Sequence, residues 1–213
     1  RFQCEMLIKN GYPADGNRIS QHGLETNGYS GIRSKSEGPV INMNYIGSIV
    51  KHKGVHLVLE ALKRSHNQDL RINIYGNISG NDPYQKKIRK MASEDNRVVL
   101  KGTVPYKTLG KVYEETDILL MPSLWYENEP LVVKSALYLG IPVIANNIGS
   151  LKEMIINKKN GWLLPAGDID SWIGIFNGLS REKIGKLELT GENIKTMDEN
   201  FEEIFSYYQQ ISL

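Results

Sequence analysis

The sequence of 213 residues predicts an α/β fold, in which a Rossmann-like parallel sheet carries helices on both of its faces. From residue 41 onward, short apolar runs alternate with segments whose apolar residues recur at helical spacing. Strands that alternate with helices in this way form right-handed βαβ units and therefore a parallel sheet. The composition, with 40% apolar and 23% charged residues, permits a buried core.

The strands and helices follow from this alternation in chain order. Six apolar runs are predicted strands, at residues 42–47, 70–75, 98–100, 118–121, 143–145 and 162–164. Between these runs, apolar residues recur at the spacing of a helix and predict four helices. These residues are Val55, Val58, Leu59 and Leu62, then Ile88 and Met91, then Leu109 and Val112, and then Val132, Ala136 and Leu139. From residue 171 we predict two or three further helices, the last of them amphipathic over residues 194–208.

The first 40 residues differ in character from the rest. The chain begins at Arg1 inside a predicted helix that contains Phe2, Met6 and Leu7, so we expect it to be a piece of a longer protein. Residues 12–40 are rich in Gly, Ser, Asn and Pro and have little hydrophobic periodicity. This composition predicts a connecting segment on the surface.

Composition excludes several classes of protein. One cysteine, Cys4, excludes a disulfide framework within the chain, and four scattered histidines offer no zinc signature. No apolar stretch approaches the roughly 18 residues of a membrane span and no signal peptide opens the chain, so we expect a cytoplasmic location. A net charge of +2 argues against a nucleic-acid partner but suits a small anionic ligand, even though residues 180–213 hold seven acidic and four basic residues.

Ligands of an open parallel sheet bind beyond the carboxyl ends of its strands, which directs attention to the loops there. The loop after the first strand, residues 47–54, brings glycines, Ser48 and Lys53 to a helix start, a combination that suits a phosphate. An exposed turn with solvated lysines is the alternative. The loop has neither Walker A nor GxGxxG spacing.

The loop after the fourth strand, residues 122–130, is the richest in side chains that could bind a ligand. Trp125 and two glutamates precede a helix that begins near Pro130, and the first N–H groups of that helix, at Leu131 and Val132, form a candidate anion site. Glu129 alternatively only favours the helix dipole. Glu127 lies further out, at the edge of the sheet where ligands bind.

An ordered set of motifs over residues 41–165 resembles the C-terminal half of a retaining, family-four glycosyltransferase of the GT-B fold. The matching segments are residues 44–47, 53–55, 74–76, 102–105, 113 with 117, 122–123, 127–130, 136–137 with 140–145, and 161–164. In that fold two Rossmann-like domains face each other across a cleft. The resemblance implies a remnant of the N-terminal domain with a linker at residues 1–40, a nucleotide-sugar-binding domain at 41–178, and C-terminal helices at 179–213.

The same resemblance implies roles for individual residues. Glu127 is the expected catalytic residue and holds the donor sugar together with Asn128 and Glu129. The residues expected to bind the donor diphosphate are Lys53, Ser48, Gly47, Leu131 and Val132. The base is expected to contact the backbone of Gly102, Thr103 and Val104. No metal ligand is expected.

Two positions depart from the family pattern. Ser48 stands where the family has an arginine. Ser135, eight positions after Glu127, stands where the family has a glutamate that binds the ribose, so the resemblance implies the ribose role for Ser135. A neutral serine in place of a carboxylate weakens donor binding by about 1–3 kcal/mol unless another group holds the ribose. Ser135 is alternatively only a helix residue.

The implied function is transfer of a sugar, with retention, from a nucleoside-diphosphate sugar to a growing glycan or lipid-linked oligosaccharide in bacterial-type surface polysaccharide biosynthesis. A UDP-sugar is favoured and a GDP-sugar is the second choice. No cofactor is expected, this half alone is expected to be inactive in transfer, and the acceptor is expected to bind through the N-terminal domain. The resemblance also leaves room for a peripheral position of the full-length protein at the inner face of the membrane.

Two other functions stay open. A non-catalytic nucleotide-sugar-binding or interaction module is favoured by the serines at positions 48 and 135. An epimerase of sugar nucleotides with the GT-B fold fits the loop at Glu127 and the C-terminal helix less well.

Overall fold

One parallel sheet of six strands organises the chain, as the sequence predicts. The computed structural model describes residues 2–15, 18–26, 29, 38–189 and 194–211. The strands are β1 (Ile41–Ile46), β2 (Leu70–Tyr75), β3 (Val98–Gly102), β4 (Ile118–Met121), β5 (Val143–Asn146) and β6 (Gly161–Leu164).

Helices precede, connect and follow the strands. They are α1 (Phe2–Lys9), α2 (Val55–Arg64), α3 (Pro83–Ser93), α4 (Leu109–Glu114), α5 (Leu131–Tyr138), α6 (Leu151–Met154), α7 (Ile169–Asn177), α8 (Arg181–Gly185) and α9 (Met197–Ile211). Short 3-10 turns at Lys51–Lys53 and Tyr106–Thr108 lead into α2 and α4.

The order of strands in the sheet fixes where a ligand can bind. The order is β3-β2-β1-β4-β5-β6, so the chain winds outward from β1 to β3, returns to the middle at β4, and then winds the other way. The loops after β1 and β4 therefore diverge to opposite sides of the sheet and leave a crevice between them. Doubly wound topology of this kind confirms the predicted Rossmann-like fold.

Two apolar cores cover the two faces of the sheet. Met43 and Tyr45 of β1 and Ile144 of β5 belong to one core, which α2, α3 and α7 cover. Val143 and Ala145 of β5 point the other way, into a core that α4, α5 and α6 cover. This alternation places helices on both faces, as predicted.

The strand boundaries agree with the sequence to within two residues. β2 and β4 match the prediction, whereas β1 runs over residues 41–46 and leaves Gly47 in the following loop. β3 continues to Gly102 and β5 to Asn146, where polar or small residues extend the ladder beyond the apolar run. Periodicity marks the buried part of a strand, and the backbone pairing continues past it.

The start of the last helix corrects one prediction. The helix α9 begins at Met197 and not at residue 194, because Thr196 and Glu199 form a capping box. The Glu199 carboxylate accepts from Thr196 N at 2.7 Å, and Thr196 Oγ1 accepts from Glu199 N at 3.3 Å. Residues 195–197 instead pair with the N-terminal segment, since Leu24 forms a parallel bridge with Thr196.

Much of the predicted linker is not among the described residues. The linker positions left out are 16, 17, 27, 28 and 30–37, and Glu192 of the acidic C-terminal segment is left out as well. Within the part of the chain that the structure describes, no helix is both long and apolar enough to cross a membrane.

Candidate functional site

The loop after β1 is held against the loop after β2 by its backbone. Gly47 N donates to Tyr75 O at 2.9 Å, and a Cβ added at Gly76 would lie 2.2 Å from the carbonyl oxygen of Gly47. The Ser48 carbonyl accepts from the buried Tyr45 hydroxyl at 2.7 Å, while the Ser48 side chain is exposed. The residue that replaces the expected arginine is therefore in the crevice loop and open to solvent.

A tight turn brings Lys53 to the loop after β4. Gly54 has a φ of 72°, and a Cβ added to it would lie 2.0 Å from the carbonyl oxygen of Pro122. Leu124 N also donates to His52 O at 2.7 Å. Because only glycine combines this left-handed conformation with such a close approach, Gly54 sets the position of the preceding lysine.

Lys53 and Glu127 meet in the crevice between β1 and β4. Lys53 Nζ lies 2.6 Å from Glu127 Oε1, which also accepts from Ser123 Oγ at 2.6 Å. The side chains are 26% and 12% exposed, so the pair is mostly shielded and still reachable from the crevice. The topology thus brings together the two residues that the sequence proposes for diphosphate and sugar.

The loop after β5 fixes the backbone of Glu127. Ser150 N donates to Glu127 O at 3.1 Å. Gly149, with a φ of 59°, lies so close that an added Cβ would be 2.8 Å from the same carbonyl oxygen. Three loops at the carboxyl edge of the sheet therefore converge on one glutamate.

Glu129 is engaged in a separate set of contacts. Its carboxylate forms an ion pair with the buried Lys134 and accepts from His22 N at 2.9 Å. Lys134 also donates to the carbonyl of His22. The structure gives this glutamate a structural partner in the N-terminal segment, beyond the interaction with the helix dipole expected from the sequence.

The start of α5 is as the sequence predicts. Pro130 precedes the helix, and Leu131 in its first turn is 49% exposed. First-turn N–H groups have no partner within a helix. Those of Leu131 and Val132 therefore remain the candidates for an anion at this end of the crevice.

Ser135 contacts Tyr29, a residue that is not among the candidates predicted from the sequence. The serine is 3% exposed, and its Oγ lies 2.8 Å from the hydroxyl oxygen of Tyr29. The ring of Tyr29 packs edge-on to Tyr113, with 5.8 Å between the ring centroids. The signal in the sequence was an isolated aromatic residue in a polar linker, a kind of residue that packs against a neighbouring surface when it finds one.

The loop proposed for the base lies at the end of β3. Gly102 has a φ of 74° and its carbonyl accepts from Gly76 N at 2.8 Å, which joins this loop to the loop after β2. Thr103 is exposed and Val104 is half-buried. The backbone of this loop is therefore accessible from the same edge of the sheet.

A cavity of about 210 Å³ separates the N-terminal segment from the loops after β4 and β5. Asn128, Glu129 and Ser150 line one side of it, and Cys4 and Arg18 line the other. The Ser150 hydroxyl is buried and has no hydrogen-bond partner among the described residues. Across residues 2–15, 18–26, 29, 38–189 and 194–211, no group of three potential metal ligands occurs.

Comparison with known sequences identifies relatives for most of the chain. The family model described as glycosyl transferases, group 1, matches residues 34–197. An uncharacterized 41.2 kDa protein in the cps region of Klebsiella pneumoniae is 34% identical over 64% of this chain and 36% of its own length. The putative colanic acid biosynthesis glycosyltransferase WcaL of Escherichia coli K12 is 23% identical over 76% of this chain and 41% of its own length. The chain therefore spans less than half the length of these relatives.

Solved structures share the fold at low sequence identity. Anabaena Alr3699/HepE in complex with UDP and glucose aligns over 97% of this chain and 60% of its own, with a TM-score of 0.81 and 17% identity. Sucrose-phosphate synthase from Thermosynechococcus elongatus aligns over 98% of this chain and 56% of its own, with a TM-score of 0.81 and 18% identity.

Proposed function

Because this chain belongs to the glycosyl transferases of group 1, we propose that it is the donor-binding half of a glycosyltransferase. The enzyme transfers a sugar with retention from a nucleoside-diphosphate sugar, preferably a UDP-sugar, to a growing glycan or a lipid-linked oligosaccharide. The observation that carries this proposal is the meeting of Lys53 and Glu127 at the crevice of the sheet, 2.6 Å apart.

The names of similar proteins support the class of reaction and the type of pathway. Relatives are named for colanic acid biosynthesis in Escherichia coli and for amylovoran biosynthesis in Erwinia amylovora, both of them bacterial polysaccharides. Anabaena Alr3699/HepE, which shares the fold, has been solved with UDP-glucose. These names favour polysaccharide assembly and a UDP-sugar donor for this chain.

The proposed mechanism needs positive charge where the leaving group forms. When the bond to the sugar breaks, negative charge grows on the nucleoside diphosphate. Lys53, which is partly exposed, and the first-turn N–H groups of α5 are proposed to contact the diphosphate, where their fixed positions would stabilise that charge. Glu127 accepts hydrogen bonds from the sugar hydroxyls. The acceptor hydroxyl, brought by the N-terminal half of the protein, attacks on the face of the sugar from which the diphosphate leaves, as retention requires, and its proton passes to the departing phosphate oxygen.

The acceptor belongs to the part of the protein that faces this domain. The cavity beside Asn128 and Glu129 opens between the N-terminal segment and the sheet domain, which is the side from which an acceptor would approach. We propose that a glycan or a lipid-linked acceptor binds there with the help of the N-terminal half. A lipid-linked acceptor would bring the cytoplasmic enzyme to the inner face of the membrane.

A non-catalytic binding module is the second candidate. Ser48 offers no cation to a phosphate, and Ser135 is too deeply buried to contact a ligand directly. Both observations favour weak donor binding. Transfer by the full-length parent protein distinguishes the two functions, because a binding module would retain nucleotide affinity without any product.

Calorimetric titration of this chain with UDP and GDP tests the donor site first. We expect saturable binding with one nucleotide per chain. If neither UDP nor GDP binds at millimolar concentration, the proposal is contradicted. A panel of UDP- and GDP-sugars with the full-length parent, read out as glycan product, then tests transfer and the identity of the donor.

A further inference from the structure

We propose that Tyr29, held in position by Ser135, is the residue that hydrogen-bonds the ribose hydroxyls of the donor nucleotide. This inference rests on the proposed function and names a binding residue for it in the linker, which lies outside the sheet domain. It starts from one contact, the 2.8 Å separation between Tyr29 Oη and Ser135 Oγ.

Ser135 cannot hold the ribose itself. Its residue is only 3% exposed, and its hydroxyl is directed at the Tyr29 hydroxyl. A glutamate at this helix position would reach outward across the space that Tyr29 fills. With a serine there, the short side chain leaves room for a phenol to enter from the linker.

Tyr29 is fixed in a position that a ligand can reach. Its ring packs edge-on to Tyr113 at 5.8 Å and at a tilt to Tyr138 at 6.2 Å between centroids. The residue remains half-buried, so part of its surface faces solvent. Its backbone is turned by a hydrogen bond from Tyr29 N to Thr26 O at 3.1 Å. Packing on two rings limits the ring to one orientation.

The hydroxyl of Tyr29 retains a capacity for a further hydrogen bond. A phenol can donate once and accept as well. If Ser135 donates to Tyr29, the phenol proton is available to a ribose oxygen; if Tyr29 donates, its oxygen accepts from a ribose hydroxyl. Burial, helped by the nearby Tyr106 and Glu25, raises the pKa of Tyr29, so the phenol keeps its proton near neutral pH.

Tyr29 also lies near elements that are proposed to bind the base and the diphosphate of the donor. Tyr106, which lies near enough to Tyr29 to help raise its pKa, follows the loop at Gly102 that is proposed for the base. Ser135 is in the helix whose first turn is proposed for the diphosphate. A ribose connects a base to a diphosphate. Tyr29 contacts the helix proposed for the diphosphate and lies near the turn that follows the loop proposed for the base.

The test compares UDP with 2′,3′-dideoxy-UDP, which lacks both ribose hydroxyls, by calorimetric titration of the chain. If the preceding titration shows that only GDP binds, GDP and its dideoxy analogue replace them. We expect Tyr29→Phe to lower the affinity for UDP by about three- to tenfold, the range of one neutral hydrogen bond, and to leave the affinity for dideoxy-UDP unchanged. Tyr138→Phe, a change in the same ring cluster, is expected to alter neither.

A double variant controls for misfolding of the Tyr29→Phe variant. Tyr29→Phe alone removes the hydrogen bond between Tyr29 and the buried Ser135 hydroxyl. Tyr29→Phe combined with Ser135→Ala removes both hydroxyls and is expected to show the same loss of UDP affinity. Unchanged or tighter UDP binding by these variants would overturn the inference, as would equal affinity of the unaltered chain for UDP and dideoxy-UDP. If the unaltered chain binds no nucleoside diphosphate, the proposed function itself fails.

Discussion

Lys53 Nζ donates to Glu127 Oε1 over 2.6 Å, although the two residues are 74 positions apart in the chain. The contact joins the loop after β1 to the loop after β4 at the crevice of the sheet. Ser123 donates to the same carboxylate oxygen and so keeps Glu127 in place. Since we propose Lys53 for the diphosphate and Glu127 for the sugar, the carboxylate neutralises the lysine until a donor supplies a competing negative charge.

Lys53→Ala is expected to weaken UDP binding by about ten- to hundredfold, because a charge-assisted hydrogen bond is lost. The Glu127 carboxylate is also left without its cation and repels the diphosphate. Titration calorimetry measures the change. Lys51→Ala is the matched control, since Lys51 lies in the same turn but is exposed and is expected to contribute little. Equal losses in the two variants would show that only general positive charge matters.

Glu127→Gln is expected to separate phosphate binding from sugar binding. The amide keeps the shape of the side chain but releases Lys53, so UDP affinity should rise by about two- to fivefold, as for a partly shielded ion pair. The additional affinity of a UDP-hexose over UDP should fall, because the amide is a weaker acceptor for sugar hydroxyls. Ser123→Ala, which removes a hydrogen bond to Glu127 and no charge, should not raise UDP affinity. A loss of UDP affinity in Glu127→Gln would contradict the assignment.

The sequence predicted the elements of the fold because alternating apolar runs reflect burial directly. The family resemblance assigned Lys53 and Glu127 to one donor molecule, whereas the strand order that places the loops after β1 and β4 together is seen only in the structure. The contact of Tyr29 with Ser135 could not be predicted, because it joins a linker without periodicity to a helix 106 positions away. The bond from His22 to Glu129 spans 107 positions and depends equally on how the N-terminal segment lies on the sheet domain.

Arg181→Ala is expected to destabilise the chain by about 2–4 kcal/mol, because it leaves a buried carboxylate without its cation. Arg181 of α8 donates to both oxygens of Asp117, at 2.6 and 2.9 Å, and Asp117 is only 1% exposed. Urea denaturation measures the free energy of unfolding. Arg181→Ala combined with Asp117→Asn should recover part of the loss, since the buried negative charge is then removed together with its cation. If Arg181→Ala lowered the free energy of unfolding by less than about 1 kcal/mol, solvent water would be stabilising the Asp117 carboxylate in place of the arginine.

Gly54→Ala is expected to cost at least about 3 kcal/mol of stability, well above the roughly 1–2 kcal/mol of left-handed backbone alone. At Gly54 the added Cβ would meet the carbonyl oxygen of Pro122 at 2.0 Å, and that oxygen also accepts from Asn146 Nδ2 at 2.8 Å. Gly102→Ala is the matched control. Gly102 has a similar φ of 74° but open space around the added atom, so only the backbone term should appear.

The added Cβ would push the turn that carries Lys53 away from Pro122 and so displace Lys53 from the position proposed for the diphosphate. Gly54→Ala should therefore also weaken UDP binding in the fraction that stays folded. Urea denaturation gives the stability of both glycine variants, and titration at a temperature where both are folded gives the affinity. Equal destabilisation of the two variants would mean that the backbone at Pro122 yields to the added Cβ. In that case Gly54 would not be the residue that sets the position of Lys53.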